Sequence, residues 1–233
     1  MLKKRINDPG LYFEDDIGNS LKCLREGGVL LYPTDTIWGL GCDPTHLIAV
    51  QKVFRIKNRA DSRSLIILVN ITDMLARYVK EIPATALELI SVSDSPLTII
   101  YPEGKNLAEG ICNDDGTIGI RICNEPFCKA LISAFRKPIV STSANISGLS
   151  SPAHFGEIDN YLKSKVDYIV KYRQDDRQKS SPSPVIRIDN NGTLKILRMR
   201  PTWKILPSLN QILLRLSGGY RYKLRSRSPR SWH

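Results

Sequence analysis

Short apolar runs bounded by turn residues recur along the chain: GVLLYP at 28–33, SLIILV at 64–69, LTIIYP at 97–102 and TIGIRI at 117–122. PIVSTS at 138–143, VDYIVK at 166–171, PVIRI at 184–188 and LKILR at 194–198 continue the series. Their length and their content of Val, Ile and Thr predict strands. Helical spacing links Ile17, Leu21 and Leu24, then Leu47, Val50 and Phe54, and helix-like stretches follow Asn70 and Pro126. Strands interleaved with helices predict an α/β or α+β protein built on a sheet. Residues 173–184, RQDDRQKSSPSP, are polar and carry two prolines. They read as a surface loop crossing between strands.

Composition adds little to the fold and something to the partners. At 233 residues with 42% hydrophobic and 24% charged content, the chain is long enough for one domain with a real core. The expected division is one folded domain over 1–200 and a basic, partly disordered tail over 201–233. That tail holds Lys204, Arg215, Arg221, Lys223, Arg225, Arg227 and Arg230 with no acid; it reads as an RNA-contacting arm or as a terminus without a role. A net charge of +11 favours anionic partners such as nucleotides or RNA. Cysteines at 23, 42, 112, 123 and 128 form no C-x-x-C pair, which reads as reduced thiols in a cytoplasmic protein. No stretch reaches eighteen apolar residues and the first thirty resemble no signal peptide, so no membrane span is expected.

Four stretches place polar groups where an apolar pattern breaks. In YPTDTIWGLGCD, a strand ends at Pro33, then Thr34, Asp35 and Thr36 precede Gly39 and Gly41, which would allow a close backbone turn. A plain turn has the same composition. The Leu47, Val50, Phe54 stripe continues to Lys57, setting an ammonium where an apolar side chain is expected, with Arg59 and Arg63 after it. Such cations suit a polyanion, although a charge run is also an ordinary solvated face. In TIGIRI the period of two separates Ile118, Ile120 and Ile122 from Thr117, Gly119 and Arg121. The second face suits a carboxylate-bearing ligand close to the backbone, or is an exposed face with a stray arginine. In PIVSTSAN, Ile139, Ser141 and Ser143 share a face and Asn145 follows the strand; hydroxyls and an amide there can bind phosphate, ribose or carboxylate without adding charge.

In this order and spacing, YPTDTIWGLGCD, IKNRADSRSL, TIGIRI and STSANISG resemble the YrdC-type family of threonylcarbamoyl-AMP synthases over about residues 10–200. The resemblance implies a twisted mixed α/β sheet flanked by helices, with a concave basic cleft. It implies synthesis of threonylcarbamoyl-AMP and pyrophosphate from L-threonine, bicarbonate and ATP, with Mg2+ accompanying ATP, for the threonylcarbamoyladenosine modification of tRNA. It makes Thr36, Arg121, Ser143 and Ser183 threonine contacts, and Arg59, Arg63, Thr117, Asn145 and Arg198 ATP contacts. Lys57 matches the lysine of the family and, with Arg59, is the expected catalytic pair. Transferase proteins of the tRNA modification pathway are the implied partners. Four stretches depart from the family pattern: Trp38 replaces a tyrosine, Arg63 to Leu65 reads RSL for KPL, Leu68 stands where a histidine is frequent, and Pro184 replaces a threonine.

With His46, His154 and His233 the only histidines, and none beside a motif residue of suitable type, the chain offers no nucleophile set. Positioning and charge stabilisation are the expected means of catalysis. A non-catalytic module binding double-stranded RNA or tRNA, or an enzyme of the same fold handling carbamoyl phosphate, would share the cleft. Threonine-dependent turnover of ATP separates these readings.

Overall fold

The computed structural model describes residues 13–58 and 65–199. The tail from 201 and the cations Arg59 and Arg63 therefore lie outside the described residues. The chain opens with helix α1 (Phe13–Arg25), whose acids Glu14, Asp15 and Asp16 fill the first turn and whose bases Lys22 and Arg25 fill the last. Both groups oppose the helix dipole. Asp16 is buried but satisfied: its carboxylate accepts from the Tyr168 hydroxyl at 2.6 Å and from the amides of Lys171 and Tyr172 at 2.9 and 2.7 Å. Gly27, at φ 73°, ends the helix in the left-handed region.

Strands β1 (Leu30–Tyr32) and β2 (Gly39–Gly41) form an antiparallel pair, followed by helix α2 (Leu47–Ile56) and strand β3 (Ile66–Val69). A 3-10 helix (Thr72–Arg77) and helix α3 (Ala84–Val92) occupy the stretch after Asn70. Strands β4 (Thr98–Tyr101) and β5 (Ile118–Ile122), helix α4 (Pro126–Phe135) and strand β6 (Ile139–Ser143) come next. The remainder is a short 3-10 turn (Phe155–Glu157), helix α5 (Asn160–Lys165) and strands β7 (Tyr168–Ile169), β8 (Val185–Ile188) and β9 (Leu194–Arg198).

All strands join one mixed sheet in the order β7-β1-β2-β6-β3-β5-β4-β8-β9. β7 with β1, β5 with β3 and β8 with β4 run parallel, and the other neighbours are antiparallel. Helix α1 packs against α4, with Phe13 edge-on to Phe127 and Tyr172 at centroid distances of 6.0 and 5.3 Å. The fold is the twisted mixed sheet flanked by helices that the motifs implied.

Two local readings change. Gly39 and Gly41 lie in a strand at the middle of the β1, β2, β6 ladder rather than in a turn. Only glycine fits at 41, because a Cβ there would stand 2.5 Å from the Tyr32 ring and 2.6 Å from the Val140 carbonyl oxygen. The Tyr32 hydroxyl donates to that same oxygen at 3.0 Å, so its ring crosses β2 at the glycine. On α2 the buried face is Ala49, Val50, Val53 and Ile56, while Leu47 is 40% exposed and Phe54 half-buried. The stripe is rotated from the expected one, yet Lys57 still falls on its buried side, because Val50, Val53 and Lys57 keep the three-and-four spacing. Among the described residues no helix is long and apolar enough to cross a membrane.

Candidate active site

A cavity of about 430 Å³ opens over the middle of the sheet. Its floor follows from strand alternation: Gly119 and Arg121 of β5, Ser141 and Ser143 of β6, and Thr98 and Ile100 of β4 line it, while Ile118, Ile120 and Val140 are buried on the other side. Gly119 keeps the floor low, since a Cβ there would meet Ile66 at 2.8 Å. Thr36 and Trp38, from the segment between β1 and β2, make one wall, and Trp38 rests on Phe155 at a centroid distance of 4.8 Å. Ser183 and Arg198 make the opposite wall. Among the described residues the lining contains two guanidinium groups and no carboxylate.

Arg121 is the electrostatic centre. Only 4% exposed, it pairs with Asp35 at 3.1 Å and reaches the hydroxyls of Thr34 at 3.3 Å and Ser183 at 3.4 Å. Its buried Nε has no hydrogen-bond partner among the described residues, which leaves a donor for an anionic ligand. The Ser183 and Thr98 hydroxyls share a hydrogen bond of 2.7 Å, and Arg198 Nε donates to the Ser183 carbonyl at 2.8 Å. The segment 173–184, expected to be a loop over the surface, therefore enters the site: Ser183 and Pro184 are buried, and Pro184 offers its carbonyl to the Thr98 amide at 3.1 Å.

Five of the residues singled out from the sequence, Thr36, Arg121, Ser143, Ser183 and Arg198, line this one cavity. Lys57, Thr117 and Asn145 do not line it, and Arg59 and Arg63 lie outside the described residues. Lys57 is 3% exposed, and its ammonium donates to the carbonyl oxygens of Ser143 at 2.5 Å and Asn145 at 2.8 Å. It thereby holds the end of β6 in place from beneath. Thr117 is buried in a chain of hydrogen bonds: it donates to Asp115 at 2.6 Å and accepts from the Asn113 side chain at 2.8 Å, and Asn113 reaches the lining. That bond, followed by the pairing of Asp115 with Arg187, holds the Asp115 carboxyl below its usual range. The Asn145 amide donates to the carbonyls of Ile146 and Leu149 at 3.0 and 2.6 Å, and shapes the turn after β6.

Trp38, Asn113 and Ser151 also line the cavity and were not singled out for binding. Asn113 carried a usable signal, because the polar turn NDDG immediately precedes TIGIRI. Leu68, at the position where a histidine is frequent in the resembling family, is fully buried and takes no part in the lining.

The family model described as "Telomere recombination", Sua5/YciO/YrdC, matches residues 22–199. A threonylcarbamoyl-AMP synthase of Halorhodospira halophila is 34% identical over 160 residues, covering 68% of this chain and 84% of the relative. One from Vibrio parahaemolyticus is 31% identical over 187 residues, covering 79% and 98%. Among solved structures, Escherichia coli YciO superposes with a TM-score of 0.68 at 26% identity, over 78% of this chain and 87% of that one. Pyrococcus abyssi Sua5 complexed with L-threonine gives 0.66 at 28% identity, over 74% of this chain; the match spans half of the Sua5 chain, 50%. With the family model matching residues 22–199 and relatives above 30% identity over two thirds of their length, this chain belongs to the Sua5/YciO/YrdC family.

Proposed function

We propose that this chain is a nucleotidyltransferase that makes threonylcarbamoyl-AMP and pyrophosphate from L-threonine, bicarbonate and ATP. The observation that carries the reading is the convergence of Thr36, Arg121, Ser143, Ser183 and Arg198 on one cavity. The names of the relatives and the threonine complex of P. abyssi Sua5 support the same substrates. Arg121, between two hydroxyls and with a donor to spare, suits the threonine carboxylate. Thr36, Ser143 and Ser183 share the lining with it and suit the amino acid's polar groups, while Arg198 suits the nucleotide.

The threonine amine attacks the bicarbonate carbon, and loss of a proton from nitrogen and hydroxide from carbon releases water and leaves a carbamate. A carbamate oxygen then bonds to the α-phosphorus as the bond to the bridging oxygen of pyrophosphate breaks. The protein's part is to hold the two reactants in line and to stabilise charge on the phosphate oxygens. Lys57 contributes by fixing the backbone of Ser143 and Asn145. Magnesium would supply charge neutralisation on the phosphates. Among the described residues the lining has no carboxylate and no group of three His, Cys, Asp or Glu could hold a metal; we read the ion as one carried by the nucleotide. The adduct would then serve tRNA modification, and a net charge of +11 supports an encounter with tRNA or with transferase proteins that carry it.

The test is incubation with ATP, bicarbonate and each amino acid in turn, with detection of acylated AMP. Threonine should stand out and bicarbonate should be required. Pyrophosphate release indifferent to threonine would overturn the proposal.

A further inference from the structure

Residues 173–184 pass from β7, at one edge of the sheet, to β8 beside the other edge, and each end is tied down. Ser183 is the anchor inside the cavity. Arg173 is the anchor outside it, at φ 64°, where a non-glycine residue is uncommon. Its Nε and Nη2 donate to Asp176 Oδ2 at 3.1 and 2.8 Å, closing the local turn. Its Nη1 donates to the Thr34 carbonyl at 3.2 Å and stands 3.7 Å from Glu125 Oε1.

Both far contacts lead to the site. Glu125 is buried and caps α4, its Oε2 accepting from the Cys128 amide at 2.8 Å, while Oε1 has no hydrogen-bond partner among the described residues. The Cys128 thiol donates to the Pro33 carbonyl at 3.2 Å, so α4 and Arg173 grip consecutive carbonyls of one segment. Thr34 is the hub of that segment. Its hydroxyl oxygen accepts from the Thr36 amide at 3.1 Å and from Arg121 at 3.3 Å, and donates to the Ile37 carbonyl at 2.8 Å.

We propose that Arg173 is a positioning residue for the amino-acid end of the cavity: touching no substrate, it fixes Thr34 and through it Thr36 and Arg121. The inference deepens the proposed function and rests on reading that end as the threonine site. Without the guanidinium, the Thr34 carbonyl loses a charged donor and the buried Glu125 loses the cation 3.7 Å from its Oε1, so the segment that carries Thr36 shifts. The nucleotide end, at Arg198 of β9, has no bond to Arg173 among those described.

The experiment measures threonine and ATP affinities separately by calorimetry on wild type, Arg173→Gln and Arg173→Lys, with thermal melts alongside. Gln keeps an amide donor on a shorter stem but loses the charge, so threonine affinity should fall on the order of tenfold while ATP affinity stays within about twofold. Lys restores the charge toward Glu125 and Asp176 and should recover most of the lost affinity. Unchanged threonine affinity in Arg173→Gln, or equal loss for both ligands, would overturn the inference while leaving the proposed function standing. A wild-type protein that binds ATP but no threonine would instead bring down the functional reading, and the inference with it.

Discussion

Replacing Lys57 by Met tests whether the buried ammonium works on the backbone or on the substrate. Met keeps the length of the stem and removes the charge. Lys57 is 3% exposed and donates to two carbonyl oxygens, those of Ser143 and Asn145. A hydrogen bond to a charged group is worth about 1.5–3 kcal/mol net, and the two share one ammonium, so the expected loss is about 3–5 kcal/mol. That is a large share of the roughly 5–15 kcal/mol that holds a domain together. For a chain of this size it corresponds to a fall in Tm of roughly 10 °C. Urea denaturation and scanning calorimetry measure the first effect. Adduct formation, assayed well below the lowered Tm, measures the second and should also drop, because Ser143 lines the cavity and its carbonyl has lost its support. A Lys57→Met protein with wild-type Tm and urea midpoint but no activity would refute the reasoning, and would move the ammonium's role onto the nucleotide.

Arg121→Met strands Asp35, which pairs with it at 3.1 Å, and should cost about 3–5 kcal/mol in urea denaturation together with the threonine response. Adding Asp35→Asn should restore much of the stability and none of the threonine response; recovery of both would be fatal to the assignment of Arg121. Gly41→Ala drives a methyl against Tyr32 and the Val140 carbonyl, so a loss of about 1–3 kcal/mol is expected by calorimetry, and a neutral result would mean that β2 yields. Glu125 has its carboxyl raised first by burial, despite the opposing bond from the Cys128 amide and the charge of Arg173. Below the usual glutamate range both states hold the proton and the fold keeps the benefit; as pH rises through that range and past the raised folded value, ionisation favours the unfolded chain. Glu125→Gln should therefore gain stability relative to wild type between about pH 4 and neutrality, followed as urea midpoints. Parallel curves would show that the buried carboxylate is fully compensated.

What the sequence determined by itself was periodic and local. Alternation in TIGIRI and PIVSTS identified the faces carrying Gly119, Arg121, Ser141 and Ser143, because a strand's side chains alternate whatever its neighbours are. The spacing from Val50 to Lys57 set the lysine on a buried side for the same reason. Motif order pointed to the family, and the family match over residues 22–199 agrees with it. Tertiary structure decided what depends on chain separation. Gly39–Gly41 is a strand only because β1 and β6 flank it and Tyr32 crosses at Gly41, a packing constraint that two glycines in three residues hide. Arg121 meets Ser183 across 62 positions and Arg173 meets Thr34 across 139, through a strand order that no local pattern encodes. The surroundings of Lys57 were decided the same way: its place on a buried side was legible from spacing, but the carbonyl oxygens that accept from it, 86 and 88 residues away, come near only in the folded chain.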